Sequence, residues 1–103
     1  YAVCVVHGTT KLDVNRKVSE LLDARRVSFA DAQTTVTLTG MLIGGVTAFG
    51  IDDLPVYIDE AVLARDRIIM GGGNRSSKVL LHPAELLRLP TAQIVSGLAL
   101  PRT

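Results

Sequence analysis

Thr39-Gly40-Met41-Leu42-Ile43-Gly44-Gly45-Val46-Thr47-Ala48-Phe49-Gly50 is the stretch whose reading decides the architecture, because it gathers four of the chain's nine glycines into a dozen residues. Glycine inside a helix loses roughly 0.5–1 kcal/mol against alanine, so this density excludes a regular helix. The segment is a shaped loop or a bent strand. Closely spaced glycines allow backbone N–H groups to approach a ligand carbonyl or a developing oxyanion without side-chain obstruction. They suit a bulge at a barrel corner equally well. On the residues alone both readings stand.

Working outward, Tyr1-Ala2-Val3-Cys4-Val5-Val6-His7 is short, β-branched and continuously apolar, which predicts a central strand closed by Gly8-Thr9-Thr10. Between Asp13 and Ala24, Val14, Val18, Leu21 and Leu22 recur at helical spacing, with Asp13 available as N-cap. Ser28 followed by Asp31 reads as a second helix start, over Phe29 to Val36. Downstream of the glycines, Val56 to Asp59 reads as a strand, Glu60 to Ala64 as a helical turn, and Arg67 to Met70 with Lys78 to Leu81 as a hairpin. Pro83 opens a helix that Pro90 ends, and Ala92 to Val95 is the last strand. Strands and short helices interleave without a regular βαβ repeat. The expectation is one α+β domain over residues 1–103, built on a mixed, curved, barrel-like sheet with short helices outside. The chain opens without Met and directly inside a strand-like run, so an N-terminal portion is expected to be missing.

Composition narrows the function classes. An apolar fraction of 48% with 20% charged residues is that of a folded chain. Eleven Lys and Arg against ten Asp and Glu leave a net charge of +1, too little for a broad field that captures a nucleic-acid backbone. With two Tyr, two Phe and no Trp, stacking platforms for a single strand are few. DNA is therefore not an expected partner, and contact with RNA is expected to be local. A single cysteine, Cys4, excludes an internal disulfide and points to a reducing, cytoplasmic setting. No apolar run is long enough to cross a bilayer, so no membrane partner is expected.

Reactive side chains are sparse. His7 and His82 lack a second His or Cys at ligand spacing, so no metal is expected. No serine sits in a Gly-x-Ser-x-Gly elbow, and Cys4 lies mid-strand among apolar neighbours that keep a thiol inert. Gly71-Gly72-Gly73 before Asn74 does not follow the order of a phosphate-binding loop, and a hairpin tip is its default reading.

Thr39-Gly40, then Gly44-Gly45-Val46-Thr47 and Gly50, Leu54-Pro55 with Asp59, and Gly72-Gly73-x-Arg75 before the strand Lys78 to Leu81 together resemble the YbaK and prolyl-tRNA synthetase-associated domain family. Each motif is short and glycine-rich, so the specificity lies in their order along most of the chain. The resemblance implies a cytoplasmic aminoacyl-tRNA editing domain that hydrolyses the ester between a wrong amino acid and the tRNA 3′ end, without a cofactor. It is expected to act on mischarged tRNA, free-standing or with an aminoacyl-tRNA synthetase; the alternative is an aminoacyl- or nucleotide-binding domain without catalysis. By resemblance, the loop backbone at Gly44 and Gly45 is catalytic, and Val46 and Thr47 line the aminoacyl pocket. Thr39 and Gly40 shape its wall, Gly72 and Gly73 border its opening, and Asp59 braces a strand or lies near the ribose. Two departures are visible. Ala48 stands where the family loop carries proline, and the family's lysine, on the strand or turn before Tyr1, has no counterpart in these residues.

Overall fold

The computed structural model describes residues 1–41, 47–49, 51, 53–73 and 78–101. Its centre is a three-stranded parallel sheet in the order β1 (Val3–Val5), β3 (Val56–Asp59), β6 (Ala92–Val95). β3 takes the middle because all four of its residues are buried, as a strand covered on both faces requires. Alternation then divides the core. Val56 and Ile58 face one side with Val5, Ala48, Val62 and Leu86, while Tyr57 faces the other with Val18, Val95 and Leu98. The sheet is laced at its entrance by Val3 N donating to Pro55 O at 2.8 Å and by Thr91 Oγ1 donating to Leu54 O at 2.6 Å.

Two antiparallel pairs flank this sheet. β4 (Ile68–Gly71) and β5 (Lys78–Leu81) form the expected hairpin, with Ile68 opposite Leu81 and Met70 opposite Val79. β2 (Thr10–Leu12) pairs with β7 (Ala99–Pro101), a pairing the sequence reading did not foresee. Among the described residues the three sheets do not close into a barrel.

Several local expectations need correction. The first helix is a π-helical turn over Val14–Val18 running into α1 (Ser19–Leu22). Asp13 does not cap it through its side chain; its Oδ2 is instead held by Arg16 Nε at 3.2 Å. The second helix, α2, spans Ala32–Thr39 rather than starting at Phe29. Asp31, not Ser28, is its N-cap, accepting from Thr34 N at 2.7 Å. α3 (Glu60–Leu63) follows β3 directly, and Pro83–Arg88 is a 3₁₀ helix rather than an α-helix.

Candidate functional site

Thr47 and Ala48, at the end of the glycine-rich stretch, are buried beside the first core cluster, at 8% and 4% exposure. Thr47 Oγ1 is buried without a hydrogen-bond partner among the described residues. Leaving a hydroxyl in that state costs about 1–3 kcal/mol, so the site calls for an explanation. Thr47 lines a cavity of about 400 Å³ that also borders residues 3–8 of β1 and its following turn, Val62 of α3, and residues 68–70 of β4. Its walls are strand edges. Among the described residues β1 bonds only to β3, and β4 only to β5, so each of these strands has an unpaired edge. The exposed members, Gly8 and Ile69, mark the mouth, and Val5, Thr47, Ala48 and Val62 form the floor.

Gly73 closes in from the hairpin. Its φ of +99° is one that side-chain-bearing residues rarely adopt, and a Cβ there would sit 3.8 Å from Met41 Sδ and 4.0 Å from Thr47 Cγ2. The glycine thus brings Met41, Thr47 and the hairpin into contact across more than thirty residues of sequence.

The titratable lining groups are Cys4 and His7. Burial pushes the Cys4 thiol above its ordinary value, which keeps it protonated and unreactive. His7 Nε2 lies 3.0 Å from Ala61 O. A carbonyl can only accept, so Nε2 carries the hydrogen in this bond. His82, by contrast, is exposed and accepts from Ala84 N through Nδ1 at 3.1 Å, capping the 3₁₀ helix as a turn residue should.

The decisive comparison is with known families. Residues 1–89 match the aminoacyl-tRNA editing domain family. The chain belongs to that family. Solved structures share this editing-domain fold. A candidate trans-editing enzyme for prolyl tRNA synthetase has a TM-score of 0.83 and 30% identity, over 99% of this chain and 62% of that one. A protein solved during computational grafting of epitope backbones onto scaffold proteins gives 0.81 and 30%, over 99% and 65%. A hypothetical protein gives 0.81 and 27%, over 93% and 63%. The editing domain therefore spans less than two thirds of the length of these three structures.

Within this editing domain the sequence-predicted site residues divide. Gly44, Gly45 and Val46 lie outside the described residues. Thr47 borders the cavity, and Gly73 lies near the Thr47 methyl without being among the cavity's described lining residues; Gly72 adjoins Gly73 in the chain. Thr39 instead belongs to α2, its hydroxyl bonding Thr35 O at 2.7 Å and accepting from Met41 N at 3.1 Å. It borders a neighbouring depression of about 170 Å³ with Tyr1 and Leu54. Gly40 is exposed in the left-handed region, φ +72°, where it ends the helix by donating to Val36 O. Asp59 is buried and caps α3, its Oδ1 accepting from Ala61 N at 3.4 Å, and it does not border the cavity. His7 and Met70 are cavity residues that the motif pattern did not flag. Among the described residues no cluster could hold a metal, and no helix is long and apolar enough to cross a membrane.

Proposed function

We propose that this editing domain hydrolyses the ester of mischarged aminoacyl-tRNA, taking the acyl group into the cavity at Thr47. The observation that carries this reading is a buried hydroxyl without a partner among the described residues, on a residue that borders a cavity, in a chain that belongs to an editing family. In the reaction water adds to the ester carbonyl carbon and the bond from that carbon to the ribose oxygen breaks. The ribose oxygen takes one proton, and the amino acid leaves as its carboxylate, releasing the other. Gly44 and Gly45 are assigned to hold the developing oxyanion through backbone N–H groups, a role that rests on the sequence motif. In the described lining, His7 Nδ1, with the ring neutral, is a nitrogen able to accept a hydrogen bond from the attacking water. The need for such a domain is energetic: a synthetic site separates side chains differing by a methyl group by only about 1–3 kcal/mol, and a second hydrolytic site supplies the rest. The name of the structure with a TM-score of 0.83, a candidate trans-editing enzyme for prolyl tRNA synthetase, supports a synthetase-linked role.

A second reading, capture of the acyl end without hydrolysis, is favoured by the absence of a lysine or carboxylate from the described lining. A panel of mischarged tRNAs separates the two. The deacylase reading expects release of amino acid from at least one of them well above spontaneous ester hydrolysis; rates equal to the spontaneous one across the panel leave only capture.

A further inference from the structure

We infer that the unpaired RNA next to the ester lies on a strip that leaves the cavity mouth at Lys11, passes Phe29 and ends at Arg25 and Arg26. That this RNA is the 3′ end of an aminoacyl-tRNA rests on the deacylase reading above. The strip begins at the cavity. Gly8 marks the mouth, and Lys11 follows three residues later, so their Cα atoms are at most about 11 Å apart. Lys11 is exposed and borders a hollow of about 920 Å³ together with Asn15, Ser28 and Phe29. A second hollow, of about 390 Å³, shares Asn15, Val27 and Ser28 with the first and is bordered by Arg25 and Arg26. The two hollows adjoin as one surface.

Charge on this surface is unbalanced. Among the described residues the ion pairs are Arg16 with Asp13 and Arg88 with Glu85, which leaves Lys11, Arg25 and Arg26 without a carboxylate partner. Asp13 borders the first hollow, but Arg16 neutralises it at 3.2 Å, and Glu20 and Asp23 border neither hollow. Three uncompensated cations, with the amide of Asn15 and the hydroxyl of Ser28 between them, suit successive phosphates. Phe29 adds what a simple anion site does not need. It is 75% exposed on the same surface, and an aromatic ring in water beside free cations holds single-stranded nucleic acid by stacking a base while the cations take the backbone. A duplex keeps its bases stacked on one another and offers none to Phe29, so the strip fits an unpaired end. The chain's net charge of +1 gives no broad field, which leaves capture to local groups such as these.

The test titrates the full protein with a fluorescent single-stranded RNA carrying the tRNA 3′ sequence, over a range of salt. Three phosphate contacts are expected to make log K fall against log salt with a slope of about −2, and Lys11→Gln, Arg25→Gln and Arg26→Gln each to reduce that slope by about 0.7. Phe29→Ala is expected to weaken binding about fivefold or more at unchanged slope. Arg88→Gln, which removes a cation outside the strip, is expected to change neither. All five residues are exposed, so the fold survives their replacement. No binding, a slope that the three strip variants leave alone, an equal effect of Arg88→Gln, or affinity indifferent to Phe29→Ala would each overturn the inference, as would equal binding of an acidic peptide, the mark of a protein partner. Deacylation assays keep the two ideas apart. Release of amino acid from mischarged tRNA at a rate that the strip variants leave unchanged sinks this inference alone, whereas RNA binding through the strip with no release from any mischarged tRNA sinks the deacylase reading alone.

Discussion

Gly73 shows how much one residue can fix. Its φ of +99° and the approach of Met41 Sδ and Thr47 Cγ2 to its missing Cβ mean that the backbone, not the neighbours' size, is the first obstacle to a side chain. Both contacts fall at ordinary van der Waals separation, so Gly73→Ala is opposed mainly by the dihedral, at roughly 1–2 kcal/mol. Urea unfolding is expected to show that loss as a lower midpoint at unchanged slope. An unaltered midpoint would mean the turn relaxes freely and does not hold Met41 against Thr47. At this scale the sequence was half legible. A glycine cluster announces backbone freedom and reads as a hairpin tip, while the place of Gly73 at an opening comes from the family resemblance alone. Asp59 is expected from the resemblance to brace a strand or lie near the ribose; in the structure it is buried and caps the helical turn after its strand, accepting from Ala61 N, a role the sequence reading did not include.

At the scale of elements, α2 explains why its own boundaries were misread. Its apolar positions, Val36 and Leu38, are too few to give a strong stripe, and four threonines lower its intrinsic propensity. The helix compensates by turning hydroxyls back on its own carbonyls, Thr35 to Asp31 O, Thr37 to Gln33 O and Thr39 to Thr35 O, at 2.7–3.0 Å. Ser28, with Asp31 three residues on, reads as the start, but it is the Asp31 carboxylate that meets a backbone N–H. That bond from Thr34 N, first among the causes, holds the Asp31 carboxyl below its ordinary 3.8. The sign follows: the cap's contribution is full above 3.8 and is lost as pH falls through the lower folded-state value. Asp31→Asn keeps a neutral cap and removes the titration. Wild type is therefore expected to melt above Asp31→Asn near neutrality, with the gap closing in acid; a gap independent of pH would show that the charge on Asp31 does not support α2.

For the whole molecule, strands were legible where each carries its own signature and illegible where pairing depends on distant chain. β3 announces itself by three consecutive apolar residues, Val56-Tyr57-Ile58, after Pro55, and the hairpin of β4 and β5 by its glycines. β2 and β7 carry no such mark: Thr10-Lys11-Leu12 and Ala99-Leu100-Pro101 are three residues each, and they are strands through their pairing with each other across chain segments far apart, a register that the bond from Asp13 N to Leu98 O at 2.9 Å continues. The parallel order of the central sheet was likewise hidden, since parallel neighbours need long crossovers that local pattern does not reveal. This layering makes one comparison diagnostic. Ile58 of β3 and Ile94 of β6 are register partners on the same face, yet Ile58 is wholly buried at 0% exposure and Ile94 is 53% exposed at the sheet's rim. If the central position of β3 organises the core, Ile58→Ala should cost about 2–5 kcal/mol through lost transfer energy and the cavity left behind. Ile94→Ala, with most of its surface already in water, should stay within about 0.5 kcal/mol. Denaturant midpoints of the two variants measure this directly, and similar losses for both would place the rim strand in a buried environment that the described residues do not supply.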